Sequence, residues 1–204
     1  MNKVDYNHWV DCQKFEKDSW GSVNIFLGPE NTEQKKQNQY AEDLGLVSNG
    51  VFPIDLKGKS VIDVGCGPIS LLLRSTNFSK AVGVEPLFYD ERVDKAYRDN
   101  GINLIRIPAE EINTDDIGYF DEVWMYNCLQ HVMSPSEIID KLVKIGKKVR
   151  IFEWINIKAH EGHPHELTES FFVEKLNLKP EDYKIVEYSS NFLYGKAIVI
   201  NKDI

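Results

Sequence analysis

The stretch VIDVGCGPISLLL, from Val61 to Leu73, is the sequence feature that most constrains the fold. An apolar run contains one acid, Asp63, and is followed by glycines at 65 and 67 and then by a second apolar run. Glycine lacks a Cβ atom, so it adopts positive φ angles and lets another group touch the backbone. We therefore predict a strand that ends in a tight turn, with the turn forming the floor of a ligand site.

Short β-branched runs alternate with helical segments after residue 60, a pattern typical of βαβ units in a parallel sheet. Strands are predicted at 60–64, 81–85, 103–107, 122–126, 149–154, 184–188 and 194–200, with helices between them. The last two strands have only residues 189–193 between them, which leaves no room for a crossover helix. We predict an α/β fold with a mostly parallel sheet that ends in an antiparallel hairpin.

Helices are predicted at about 32–44, at 90–100 and at 168–176. Another begins at Pro135, because Ser134 to Glu137 combines a capping box with proline at the first helical position. Residues 1–55 are polar and aromatic and carry little strand signal. We expect them to form a helical cap or lid on a single α/β domain formed by residues 56–204.

Composition limits the classes of partner and the compartment. The 204 residues are enough for one domain with a substantial core, and the net charge of −8 disfavours nucleic acid as a partner. Three cysteines without a CxxC pair predict neither a disulfide framework nor a thiolate zinc site, which fits a reducing compartment. The sequence shows neither a signal peptide nor a membrane span, so we expect a cytoplasmic protein.

Two ligand classes use a glycine turn of this kind. A dinucleotide requires G-x-G-x-x-G, but Ser70 occupies the third glycine position, which counts against a nicotinamide-dependent oxidoreductase. Glu85 ends the second strand, where both classes bind ribose hydroxyl groups. Asp63 would repel a pyrophosphate, yet it suits a ligand with an amino group and a sulfonium. These residues favour S-adenosylmethionine (SAM) as the ligand.

Three motifs in this order and spacing resemble those of class I SAM-dependent methyltransferases, a Rossmann-like superfamily. They are VIDVGCGP at 61–68, VGVEP at 82–86 and FDEVWMYNCLQHV at 120–132. The motifs span about 59–154, and the strand pattern continues the similarity to the C-terminus. The resemblance implies a doubly wound, seven-stranded sheet with strand order 3-2-1-4-5-7-6 and methyl transfer from SAM.

The resemblance also implies a set of cofactor-binding residues at the ends of four strands. Gly65, Cys66 and Gly67 would line the methionine part, Asp63 would orient that loop or hold the amino group, and Asn127 would reach the methionine end. Glu85 would bind the ribose, and Pro86, Ala109 and Glu110 would lie near the adenine. The sequence departs from the family at Pro108, where an Asp is usual, and at Ile69, where many relatives have glycine.

Histidines are the candidates for acceptor chemistry. His131 follows the fourth strand, where the resemblance places residues near the transferred methyl group, so it is either a general base or a packing residue. Histidines 160, 163 and 165 follow the fifth strand. Gly162 and Pro164 indicate a loop there and not a helix that presents ligands on one face, so we expect no metal. His163 is the second catalytic candidate, with a solvated loop as the alternative.

Aromatic residues are frequent in the polar N-terminal segment, at Trp9, Phe15, Trp20, Phe26 and Tyr40. They suit either a lid that covers the cofactor and walls the acceptor pocket, or a helical cap that buries its rings against the sheet. Trp20 is the preferred contact with the cofactor.

We predict a methyltransferase that acts on the oxygen or nitrogen of a small molecule or sugar-like acceptor. A short, acidic chain without a recognition domain favours a small acceptor over a macromolecule. Two alternatives stay open, a non-catalytic SAM-binding or scaffold protein, and a methyltransferase for protein or nucleic acid.

Overall fold

The computed structural model describes residues 3–22 and 32–204. Two helices come first in the chain, α1 (Tyr6–Ser22) and α2 (Thr32–Asp43). Phe26, one of the predicted lid aromatics, lies outside the described residues. Across these ranges, none of the helices is both long and apolar enough to cross a membrane.

Seven strands of the described chain form one sheet, which confirms the predicted α/β class. They are β1 (Ser60–Val64), β2 (Lys80–Val84), β3 (Asn103–Ile105), β4 (Glu122–Tyr126), β5 (Lys148–Trp154), β6 (Tyr183–Ser189) and β7 (Tyr194–Asp203). Their order is 3-2-1-4-5-7-6, as the resemblance implies. Strand β7 runs antiparallel to both β5 and β6, and the other neighbours are parallel. The carboxyl ends of β1, β2 and β4 therefore meet at one edge of the sheet.

The expected helix between β1 and β2 is absent, which corrects the prediction of a helix in every crossover. Residues 65–79 are all described, and they contain a 3-10 turn at Leu71–Arg74 instead of an α-helix. The next two residues, Ser75–Thr76, pair in parallel with Ile54–Asp55 in a small separate sheet. This pairing draws the chain into an extended conformation before a second helical turn can form.

Three helices follow the first crossover, α3 (Glu91–Asp99), α4 (Pro135–Ile145) and α5 (Glu169–Leu176). Helix α4 begins at Pro135 as predicted, but the Ser134 side chain makes no capping hydrogen bond. The Glu110 carboxylate accepts hydrogen bonds from the backbone N–H groups of Met133 and Ser134 instead. The capping box is therefore replaced by an acid from a different part of the chain.

Hydrophobic side chains pack on both faces of the sheet. One face carries α4 and α5, with Ile138, Leu142 and Phe172 buried against it. The other face carries α2 and α3, and Tyr40 and Leu44 of α2 are buried there. Burial of each such side chain contributes about 1.5–3 kcal/mol. Helix α2 thus shares the core of the sheet, and the division of the chain at residue 55 stays a prediction.

Candidate functional site

A cavity of about 470 Å³ opens where β1, β2 and β4 end, and helices α1 and α2 form its opposite wall. Twelve residues were predicted for the site, and all but Asp63 line this cavity. The lining members are Trp20, Gly65, Cys66, Gly67, Glu85, Pro86, Ala109, Glu110, Asn127, His131 and His163. A cavity of this volume is in the range of small-molecule sites.

The two glycines of the first turn differ in what makes a side chain unsuitable. Both have positive φ angles, +75° at Gly65 and +60° at Gly67. A Cβ atom on Gly65 would lie 1.9 Å from the Cys128 sulfur, so this glycine allows the loops after β1 and β4 to touch. A Cβ atom on Gly67 would meet no described atom within 4 Å. Of these two glycines, Gly67 therefore has open space where a side chain would be.

Glu85 follows β2 and is buried, with 5% of its surface exposed. One carboxylate oxygen accepts from the Gly67 N–H at 3.0 Å, and the other accepts from the Leu87 N–H at 2.9 Å and the Tyr89 hydroxyl at 3.2 Å. Burial raises the pKa of Glu85, and these hydrogen bonds oppose the rise. A carboxylate has about four lone-pair sites, so it can still accept from a ligand hydroxyl.

Asp63 lies beneath the glycine turn and is fully buried, away from the cavity. Its Oδ2 accepts hydrogen bonds from the Ser70 hydroxyl at 2.6 Å and the Tyr126 hydroxyl at 2.9 Å. Its Oδ1 has no partner among the described residues. Burial raises the pKa of Asp63 to about 7. Of its two predicted roles, this geometry favours orientation of the loop.

Glu153 is a site residue that the sequence analysis did not identify. It lies near the end of β5, is fully buried, and its Oε1 accepts from the N–H groups of Cys128 at 2.6 Å and Leu129 at 2.5 Å. Burial raises its pKa to about 8. The loop that it holds includes Asn127, which has a φ of +53° and lines the cavity. A lone acid in the apolar run IFEW, residues 151–154, was the available signal.

The segment after β3 forms a 3-10 turn at Ala109–Glu111. Ala109 is buried on the cavity wall. The Glu110 carboxylate accepts from the Met133 N–H at 2.5 Å and the Ser134 N–H at 3.4 Å, so it joins this turn to the start of α4. Both bonds use Oε1 of Glu110, and contact of Ala109 and Glu110 with adenine stays a prediction.

His131 and His163 lie against each other, with ring centroids 4.5 Å apart and planes nearly perpendicular. His131 Nδ1 is 2.8 Å from the Gly162 carbonyl oxygen. A carbonyl only accepts, so Nδ1 carries the proton and Nε2 keeps a lone pair. Burial lowers the pKa of His131 to about 4 and that of His163 to about 3. Both imidazoles are therefore neutral at physiological pH.

Helix α1 adds a carboxylate to this histidine pair. Glu16 Oε1 is 3.5 Å from His131 Nδ1, and burial raises the Glu16 pKa to about 7. The helix is fixed by the Trp9 indole and the Gln13 side-chain amide, which both donate to the His131 carbonyl oxygen, at 3.0 and 3.1 Å. No local sequence pattern indicates Glu16, because this contact depends on where α1 packs.

The described aromatic residues of the N-terminal segment do not all line the cavity. Trp9, Trp20 and Tyr40 line the cavity, and Trp20 meets the edge of Tyr89 at a centroid distance of 6.3 Å. Phe15 is 40% exposed. A Cβ atom on Gly162 would lie 2.6 Å from the Phe15 ring, so that glycine allows α1 to approach the histidine loop closely.

Comparison with known proteins gives a family and several relatives. The family model described as methionine biosynthesis protein MetW matches residues 43–158, more than half of the chain. The chain belongs to this family. The matched residues of this MetW-family chain include the glycine turn, Glu85, Asn127, His131 and Glu153, and they exclude all of α1.

Two curated relatives of the MetW-family chain are named ubiquinone biosynthesis O-methyltransferase. The mitochondrial protein of Dictyostelium discoideum is 29% identical over 116 residues, which cover 50% of this chain and 36% of that protein. The protein of Dechloromonas aromatica (strain RCB) is 33% identical over 109 residues, which cover 47% of this chain and 44% of that protein. The chain thus matches less than half the length of each relative.

Solved structures share the fold of the MetW-family chain over its whole length. The structure of magnesium protoporphyrin IX methyltransferase from Synechocystis PCC 6803, with bound SAM, has a TM-score of 0.63 and 16% sequence identity. The match covers 100% of both chains. This similarity confirms the resemblance of the fold to class I SAM-dependent methyltransferases.

Proposed function

We propose that this protein is an enzyme that binds SAM and transfers its methyl group to an oxygen or nitrogen atom of a small acceptor. The observation that carries the proposal is the open backbone of Gly67 beside the Glu85 carboxylate, at the carboxyl ends of β1 and β2. Ligands of doubly wound folds bind at this edge of the sheet, where the strand order reverses. The names of the curated relatives support methyl transfer as the reaction.

The polar groups and open spaces on this edge of the sheet fit SAM. The Glu85 carboxylate keeps acceptor capacity for ribose hydroxyl groups, and Gly67 leaves room for a ligand against the backbone. Pro86, Ala109 and Asn127 line the cavity. Pro86 and Ala109 would offer apolar surface for adenine, and Asn127 would reach the methionine end. Bound SAM supplies an electrophilic methyl group on a sulfonium. Trp20, on α1, would cover the site next to Tyr89.

His131 and His163 are the proposed catalytic residues. Methyl transfer depends mainly on alignment, so the fixed loops after β1 and β4 account for much of the catalysis. A hydroxyl acceptor must also lose a proton, and a buried neutral imidazole either accepts that proton or ligates a cation that binds the oxygen. Both rings line the cavity, and His131 belongs to the same loop after β4 as Asn127.

An oxygen acceptor of small size agrees best with the cavity and the relatives. A cavity of about 470 Å³ suits small ligands, and the net charge of −8 disfavours nucleic acid. Both curated relatives have O-methyltransferase in their names. Three free cysteines support a reducing compartment, so we place the protein in the cytoplasm.

Calorimetric titration tests the proposal. The protein is titrated with SAM and S-adenosylhomocysteine (SAH), and in parallel with oxidised and reduced nicotinamide dinucleotides. We expect binding of the two sulfur nucleosides alone. Glu85→Gln should weaken SAM binding more than about tenfold, because a charged acceptor for the ribose is lost. Glu181→Gln, at an exposed site, is the control and should not change it.

Two results would argue against this function. Binding of the dinucleotides would favour an oxidoreductase. Binding of SAM without SAH release, across a panel of phenols, carboxylic acids, sugars and amines, would favour a non-catalytic SAM-binding protein.

A further inference from the structure

We propose that Glu16, His131 and His163 form a binding site for one divalent transition-metal ion, with its free coordination positions open to the cavity. One ligand atom from each of these side chains lies within 4.8 Å of the other two. All three side chains line the cavity. The third ligand comes from α1, far from the histidines in sequence, which is why the spacing of the histidines alone predicted no metal.

The donor set determines the class of ion. Two imidazoles and one carboxylate bind Zn²⁺ and Fe²⁺ in proteins and leave positions for water or substrate. Imidazole and carboxylate ligands lie about 2.0–2.2 Å from Zn²⁺. Ligand atoms that lie within 4.8 Å of one another must therefore come closer together by side-chain rotation to coordinate one ion. Ca²⁺ and Mg²⁺ prefer oxygen ligands, which makes them poor candidates for this site.

The hydrogen bonds of the two histidines suit metal ligation. The Gly162 carbonyl oxygen fixes the proton of His131 on Nδ1, so Nε2 is free to act as a ligand. The Glu16 carboxylate is 3.5 Å from Nδ1 and must turn towards the Nε2 side of the ring to share an ion with it. Metal-ligating histidines typically donate their second N–H to a carbonyl or carboxylate in this way. His163 Nδ1 is buried and has no hydrogen-bond partner in the described part of the chain. A bound ion would give this nitrogen a partner in place of the water that it loses on burial.

The role of the ion rests on the proposed function. An ion at this position would bind an acceptor through an oxygen atom, either a hydroxyl or a carboxylate, and would lower the pKa of a coordinated hydroxyl. The acceptor would then be held on the side of the cavity near Asn127. Ion binding itself does not depend on SAM, so it is measured in the absence of SAM.

Zinc titration of the chelator-treated, untagged protein tests the site. We expect one Zn²⁺ per chain by calorimetry, together with a rise in the thermal unfolding midpoint at saturating Zn²⁺. Glu16→Gln and His163→Ala should each weaken binding at least tenfold. The matched control is His8→Ala, because His8 is an exposed histidine on the same helix. It should bind Zn²⁺ like the unsubstituted protein.

A spectroscopic titration with Co²⁺ provides a second measurement that does not depend on activity. Visible d–d absorption bands should appear with one equivalent of Co²⁺ and should be weakened in Glu16→Gln. Circular dichroism of each variant shows whether it is folded. The site would be refuted if folded Glu16→Gln and His163→Ala bound Zn²⁺ as tightly as the unsubstituted protein, or if only His8→Ala reduced binding. Absence of stoichiometric binding would refute it as well, whatever the result with SAM.

Discussion

The buried carboxyl of Glu153 should make the free energy of unfolding depend on pH. Its carboxyl is fully buried, and desolvation raises its pKa from the usual value of 4.5 to about 8. Between these values the folded protein binds more protons at this site than the unfolded chain does. The free energy of unfolding therefore falls as pH rises from 4.5 to 8, and the full difference corresponds to about 5 kcal/mol.

Glu153→Gln should remove this dependence. The glutamine carbonyl oxygen can still accept from the N–H groups of Cys128 and Leu129, and the side chain does not ionise. We expect the two proteins to have similar free energies of unfolding at pH 5. At pH 9 the variant should be more stable by up to about 5 kcal/mol.

Urea denaturation from pH 5 to pH 9 measures this difference. Asp63 and the other titratable groups are present in both proteins, so their contributions cancel in the comparison. Glu153→Leu is the control, because it leaves two buried N–H groups without an acceptor and should lose about 1–3 kcal/mol per group at every pH. A difference between Glu153→Gln and the unsubstituted protein that does not change with pH would refute the reasoning, since Glu153 would then keep its charge on folding.

Three further predictions concern the glycine turn, the hydroxyl beneath it and His131. Gly65→Ala should lower the free energy of unfolding by about 2–5 kcal/mol in thermal unfolding, because it adds a clash with Cys128 to the strain of positive φ. Gly67→Ala should lower it by only about 1–2 kcal/mol but should weaken SAM binding. Equal losses of stability in the two variants would contradict this division of roles. Tyr126→Phe should lose about 1–3 kcal/mol in urea denaturation, because its hydroxyl donates to Asp63 and accepts from the Leu71 N–H. His131→Ala should leave SAM affinity nearly unchanged in calorimetry and lower kcat in an SAH-release assay, and an unchanged kcat would make His131 a packing residue.

The regular parts of the fold could be predicted because their signals are local. Short apolar, β-branched runs located the strands, and the short connection at 189–193 predicted the hairpin of β6 and β7. The strand order came from the resemblance to a family. The 3-10 turn at Leu71–Arg74 could not be predicted, because it depends on pairing of the next residues with Ile54–Asp55, a contact that no local pattern encodes.

The site was predictable where it follows strand ends and unpredictable where it depends on packing. Eleven of the twelve predicted residues line the cavity, because parallel strands bring their carboxyl ends to one edge. Glu16 was missed because α1 is held by Trp9 and Gln13 through donation to a single carbonyl oxygen, and such a match is visible only in the folded chain. Glu153 was missed because its partners are backbone groups of a different strand's loop.

Two buried acids make hydrogen bonds that hold the loops lining the cavity. Gly65 and Cys128 bring the loops after β1 and β4 into close contact. Asp63 holds the first loop through Ser70, and Glu153 holds the second through backbone N–H groups. Both acids act from beneath the cavity, so its surface stays available to ligands. Burial raises the pKa of both carboxyl groups, so the free energy of unfolding falls as pH rises. A reaction that depends on alignment benefits from this arrangement, because displacement of either loop would separate the reacting atoms.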